Sequence, residues 1–167
     1  GDVILRVDIN GTEEYALKLS KLGSSSREVA GEAIYKAADI VANQIKANIQ
    51  SLPTITDAEN IKAYKAGQKS RLTAREKDGL LKSFGVSTMK DDNGYLNVKA
   101  GFDGYNTVKT KKYPKGQPNQ LIARVVESGS PYMDKMPFIR PALNKSRRPA
   151  MQAMQQVIDK KMEEIMK

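Results

Sequence analysis

The chain contains no cysteine and no histidine, and these two absences remove much of catalysis by residue type alone. There can be no disulfide framework, no thiolate nucleophile, no Cys/His zinc site and no Ser-His-Asp triad. Tryptophan is absent too, and aromatics make up 6% of the 167 residues, so the expected core is aliphatic, rich in Ala, Ile, Leu, Val and Met. No apolar run approaches the roughly 18 residues of a membrane span. The opening Gly1-Asp2-Val3-Ile4-Leu5-Arg6 lacks the basic-then-apolar pattern of a secretory signal. The expectation is a soluble chain, intracellular when made, with no membrane partner.

Carboxylates are the remaining hard-metal ligands. Asp91-Asp92 belongs to a turn, Glu163-Glu164 to a helix surface and Asp57 with Glu59 to a loop. None has a recognisable supporting partner, so no metal, no cofactor and no acid–base pair is assigned. Gly101-Phe102-Asp103-Gly104 lacks the Gly-Lys-Ser/Thr ending of a phosphate loop.

What the chain does have is positive charge, a net +9 with 28% charged and 40% hydrophobic residues. That is ordinary globular composition with an attraction to nucleic acid, anionic surfaces or acidic partners. Two stretches concentrate the charge. One carries Lys62, Lys65, Lys69, Arg71, Arg75 and Lys77, the other Lys109, Lys111, Lys112 and Lys115. Lys and Arg grip phosphates without reading sequence, and the interleaved Tyr64, Tyr105 and Tyr113 have faces on which bases stack. The competing reading is solvated loops whose lysines serve solubility.

Hydrophobic spacing supplies the elements. Val3 to Ile9 alternates as a strand, and Asn10-Gly11 is a turn. Thr12 followed by Glu13 and Glu14 predicts a short helix to Leu22, stopped by Gly23. Ser24-Ser25-Ser26 offers the next cap. Ala30, Ile34, Ala37, Val41, Ile45 and Ile49 then mark a long amphipathic helix over 27–51, ended by Pro53. Residues 52–79 have little periodicity and read as a flexible loop, apart from a capping box at Thr73-Ala74-Arg75-Glu76 that starts a helix running to Lys82. Leu81–Lys90 and Gly94–Phe102 are strand candidates around the hairpin signal Asp92-Asn93-Gly94. Residues 104–119 read as an exposed, mobile arm. Leu121–Glu127 is short and apolar, helix or strand. The last helix carries Leu143, Met151, Met154, Ile158, Met162 and Ile165, with Pro141 at its first position and Pro149 expected to kink or restart it. The Met-rich stripe is core or an adaptable interface. The sum is one α+β domain over 1–167, an antiparallel sheet packed against a long amphipathic helix and a C-terminal helix.

The segments GTEEYALKLSKLGSSSREVAGEAIYKAADIVANQIK, VVESGS and MPFIRPALNKS, with a hairpin between the first two, resemble the tail-completion (head–tail connector, or neck) proteins of long-tailed bacteriophages and prophages. The resemblance runs from about residue 10 to the end. In that family an apolar segment ends in Glu-aromatic-Gly-Thr/Ser and is followed by Pro-Phe-hydrophobic-Arg-Pro-Ala. Here Glu127, Gly129, Ser130, Pro137, Phe138, Arg140 and Pro141 occupy those places, while Ser128 stands where the aromatic is usual.

The resemblance implies a non-enzymatic virion protein, made in the host cytoplasm and ending at the head–tail junction. It would form a ring with itself, six-fold as the tail tube is in related viruses. The ring would contact neighbouring neck and tail-tube proteins and surround double-stranded DNA without reading its sequence. Lys65, Lys69, Arg71, Arg75, Lys109, Lys111, Lys112 and Lys115 would then line the channel or meet the adjacent ring. A basic, non-enzymatic nucleic-acid-binding protein is the alternative. On the residues themselves, two prolines fix φ on either side of a core-seeking Phe138, and a reversal at Glu127–Ser130 is placed to meet Arg140 in a charged hydrogen bond.

Overall fold

The computed structural model describes residues 5–9, 15–19, 27–92 and 95–166. The chain is α+β. In order it forms β1 (Leu5–Ile9), β2 (Tyr15–Leu19), α1 (Arg27–Gln50), α2 (Asp57–Lys65) and α3 (Ala74–Ser83). Then come β3 (Phe84–Val86), β4 (Lys90–Asp92), β5 (Tyr95–Phe102), α4 (Asn119–Ser128) and α5 (Ile139–Met166). The sheet order is β1-β2-β5-β3, with β4 also paired to β5. β1–β2, β2–β5 and β4–β5 are antiparallel, with Val7 opposite Leu17, Leu17 opposite Val98 and Asp92 opposite Tyr95.

The chain divides into two compact units. The first holds residues 1–44, 86–100 and 142–167. Its core is alanine-rich: Ala30, Ala33, Ile34, Ala37, Ala38 and Val41 of α1, Leu96, Val98 and Ala100 of β5, and Ala142, Leu143, Ala150, Met154 and Ile158 of α5 are all buried. Small side chains let backbones approach closely, and Gly31 marks one such place, where a Cβ would sit 3.0 Å from the Met89 methyl. The neighbouring Met89 N–H donates to the Tyr35 hydroxyl at 2.8 Å.

The second unit holds residues 45–85 and 101–141. Its core is Ile45, Ile49, Leu52, Leu72, Leu80, Ile122, Val126, Ile139 and the chain's three phenylalanines. Phe84 and Phe102 lie 5.2 Å apart between centroids, and Phe102 meets Phe138 edge-on at 6.1 Å. Such pairs add about 0.5–1.5 kcal/mol each beyond burial.

The structure corrects several sequence expectations. Tyr15–Leu19 is a strand rather than part of a helix. Its five residues alternate Tyr-Ala-Leu-Lys-Leu, and pairing on both sides with β1 and β5 outweighs the capping signal at Thr12. That signal itself, with Asn10-Gly11, Gly23, the serines 24–26 and Asn93-Gly94, lies outside the described residues. The 52–79 segment is no open loop, because α2 occupies Asp57–Lys65 and α3 follows the predicted capping box at Thr73/Glu76. Leu81–Lys90 is not one strand: α3 continues to Ser83, and two short strands follow. The 104–119 arm folds back on itself, with Asn106 N–H donating to Gln117 O and Gln117 N–H to Val108 O. Leu121–Glu127 is helical. Pro141 is the third helical residue rather than the first, and α5 runs through Pro149 without restarting. The carbonyl that loses its helical partner there belongs to Lys145, a solvent-exposed residue.

Gly79 inside α3 has a positional reason. A Cβ there would collide with the Asn106 amide nitrogen and stand 3.0 Å from Asn119 Oδ1. Both asparagines are buried and bonded to each other, and Asn119 Nδ2 also donates to Asp103 O at 3.0 Å. An alanine in a helix interior ordinarily stabilises by about 1 kcal/mol over glycine. Here Gly79→Ala is expected to lower stability by about 1–3 kcal/mol in urea denaturation, because the asparagine pair has to move.

Candidate functional site

The Pro-Phe-Ile-Arg-Pro-Ala motif and the Glu-Ser-Gly-Ser element meet at one corner of the second unit. α4 ends at Gly129, whose φ of 78° is the left-handed conformation that favours glycine. A Cβ at 129 would also press on Lys135, 3.1 Å from its Cβ and 3.2 Å from its backbone nitrogen. Ser130 builds the reversal, its hydroxyl accepting from the Tyr132 and Met133 N–H groups at 3.1 Å each. Met136 N–H then donates to Val126 O at 2.7 Å, which lays the returning chain alongside α4.

This return brings the start of α5 to the buried Glu127. One carboxylate oxygen accepts from Phe138 N–H at 2.7 Å and Ile139 N–H at 2.8 Å; the other accepts from Arg140 N–H at 3.0 Å. The first four N–H groups of a helix have no intrahelical partner. In α5 those positions are Phe138, Ile139, Arg140 and Pro141, and proline has no N–H to satisfy. Glu127 therefore takes every orphan donor of the helix. Its charge also sits at the positive end of the helix dipole, the stabilising position for an anion. Asn48 of α1 completes the corner by donating to Phe138 O at 3.0 Å.

The sequence placed Glu127, Gly129, Ser130, Pro137, Phe138, Arg140 and Pro141 together, and the structure does so. It changes the bond between them. Arg140 meets Glu127 through its backbone, while its side chain, like Pro137 and Pro141, is exposed. Three backbone donors converge on one buried carboxylate, so the corner anchors the start of α5.

The basic residues divide. Lys69 stands 4.0 Å from Asp134 and Arg75 is 3.4 Å from Asp57, both exposed pairs worth little. Lys65, Arg71, Lys109, Lys111, Lys112 and Lys115 are exposed and make no ion pair among the described residues. Tyr64 and Tyr105 are open to solvent, whereas Tyr113 is half-buried in a turn with Lys112 over its ring.

A groove of about 460 Å³ that sequence reading missed opens beside α2 and α3, with Val108, Leu121, Ile122, Val125 and Met133 on its apolar side. Thr73 and Glu76, the capping-box pair, line its polar side. Glu76 Oε1 accepts from the Thr73 N–H and hydroxyl, both at 3.0 Å. Desolvation raises the Glu76 carboxyl above its ordinary range, with nearby Asp57 adding to the rise, against the lowering by the Thr73 bonds and Arg75. Among the described residues no group of three or more Asp or Glu side chains is placed to hold a metal ion, and no helix is long and apolar enough to cross a membrane. Comparison with protein-family models, with curated proteins and with solved structures finds no match to this chain.

Two outcomes are expected. Glu127→Ala leaves three N–H groups unpaired, two of them buried, and should lower unfolding stability by about 2–4 kcal/mol, with Glu127→Gln intermediate because one oxygen and the charge are lost. Glu76 behaves with the opposite sign to a salt-bridged acid. Its folded-state pKa is raised, so the ionised carboxylate opposes folding at neutral pH, and that opposition fades as pH falls through the raised value into the ordinary carboxylate range. Glu76→Gln keeps a capping-box acceptor and should unfold at higher temperature than the parent at pH 7, the gap closing toward pH 4.

Proposed function

We propose that this chain is a structural virion protein that forms a ring at the head–tail junction of a long-tailed bacteriophage, joins tail to capsid and surrounds the DNA channel. The observation that carries the reading is the Glu127 corner. The residues bearing the resemblance, VVESGS and PFIRPA, form one hydrogen-bonded unit, which supports a structural part for them. A ring subunit needs such a rigid reference point from which to present its surfaces.

Arg140 supports the same reading. A cation in the first turn of a helix sits at the wrong end of the dipole and costs a few tenths of a kcal/mol or more. Arg140 occupies the second position of α5, is exposed, and makes no ion pair among the described residues. Helix stability gives no reason for it, so its use lies outside the subunit. Lys109, Lys111, Lys112 and Lys115, without an ion pair among the described residues, suit either the DNA in the lumen or an adjacent ring. They also support the second reading, a basic protein that binds nucleic acid on its own.

Arg140→Glu separates stability from assembly. The purified variant should still fold and unfold near the parent's temperature, since residue 140 is exposed and the gain from an anion at the helix start is offset by repulsion from the adjacent Glu127 carboxylate. It should nevertheless be missing from particles, with tails left unattached to heads in electron micrographs. Infectious particles containing the variant in normal amount would overturn the ring assignment. If instead the parent chain retains duplex DNA in a salt-sensitive manner and reversal of Lys109, Lys111 and Lys112 abolishes that retention, the second reading replaces the first.

A further inference from the structure

α2 is a helix with no buried residue. What fixes it is polar. Thr56 accepts from Glu59 N–H, and the Asn60 side chain clamps the Arg71 backbone, Nδ2 donating to Arg71 O and Oδ1 accepting from Arg71 N–H, both at 2.9 Å. Asp57 adds the exposed pair with Arg75. A nine-residue helix is marginal on its propensity alone and normally earns its place by burying an apolar face. Here that face is uncovered. Ala58, Ile61 and Tyr64 share one arc of the helix, Ile61 being 57% and Tyr64 83% exposed. Lys62 borders the arc, Lys65 closes it at the C-terminal end of the helix, one turn beyond Ile61, and Arg71 lies beside the helix, all exposed and without an ion pair among the described residues. The surface is an apolar centre with a cationic rim.

The matching surface is on α1. Glu28, Glu32, Tyr35 and Asp39 follow spacings of four, three and four, so they line one exposed stripe around a tyrosine that is 42% exposed; Glu32 also pairs with Lys161 of α5 at 3.6 Å, while Glu28 and Asp39 flank the tyrosine on either side along the helix. Eleven residue rises give the stripe a length of about 16 Å, against about 13 Å for α2. Charge decides the occupant. On a chain of net charge +9, α2 against α2 would oppose like charges, whereas α2 against α1 places Lys62, Lys65 and Arg71 opposite Glu28 and Asp39, with Glu32 shared with Lys161.

We propose that α2 of one copy docks on the Glu28–Asp39 stripe of α1 of the next copy, a head-to-tail contact with Ile61 and Tyr64 packed on Tyr35. Contacts between unlike surfaces of identical chains are the kind that generate rings. The proposal rests on the ring reading and names its interface.

The absence of cysteine gives a clean test. Lys36→Cys sits beside the acidic stripe and Ala58→Cys at the edge of the α2 arc; both replace exposed residues and leave the proposed contact side chains in place. The two proteins are mixed in equal amount under mild oxidation, and disulfide-linked dimers are sorted by mass. Random collision gives the mixed dimer at about twice each like dimer. The proposal expects it at about tenfold or more, falling to the random ratio in high salt or when Ala58→Cys also carries Ile61→Asp. A random ratio at low salt overturns the proposal, and the result is read even if the chain is monomeric at equilibrium. Light scattering on the parent chain keeps the two ideas apart. A ring-sized species together with a random disulfide ratio retains the ring and rejects this interface.

Discussion

A single buried carboxylate organises the second unit. Glu127 reaches from the end of α4 to the start of α5 and holds three backbone N–H groups at 2.7–3.0 Å. Taking a charge out of water is expensive unless every lone-pair direction is used well. Here the orphan donors of a 28-residue helix supply the bonds and the dipole supplies the field. The arrangement works because the fourth position is Pro141, which has no N–H to leave unpaired.

Other features of the corner follow from that requirement. Glu127 meets Phe138 only if the chain reverses at once after α4, which sets the left-handed Gly129 and the Ser130 turn. Fixing the Phe138 backbone from both sides, by Glu127 at its N–H and Asn48 at its carbonyl, aims the ring at Phe102 and Phe84. The motif is thus one device: a turn, a remote cap and an aromatic anchor.

Most of this device was legible in the sequence, because prolines, a glycine and a glutamate at fixed spacing leave few backbone solutions. The partner of Glu127 was not. Charge pairing points to the Arg140 guanidinium, and only the accounting of helix N–H groups, with Pro141 inside the first turn rather than at its head, shows that the backbone is what needs an acceptor. The α1 and α5 stripes were legible because they bury a face. α2 was not, for the complementary reason. It buries nothing, so it has no hydrophobic period, and its sequence trace is the cap at Thr56 with Glu59 three residues on. β2 was misread because five alternating residues are a weak signal beside Thr12-Glu13-Glu14. The groove and its Glu76 were invisible for a different reason, since the groove's lining is gathered from segments far apart in the chain.

Glu127 stands in for the turn that would precede α5, accepting from the N–H groups that such a turn would satisfy. Amide hydrogen exchange at Phe138, Ile139 and Arg140 tests this most directly, because N–H groups at an uncapped helix start exchange almost as fast as in an unstructured peptide. The account predicts that all three are protected in the parent chain to the level of the helix interior, and that Glu127→Ala removes the protection there while the amides around Met154 keep theirs. Fast exchange at these three positions in the parent chain would contradict it.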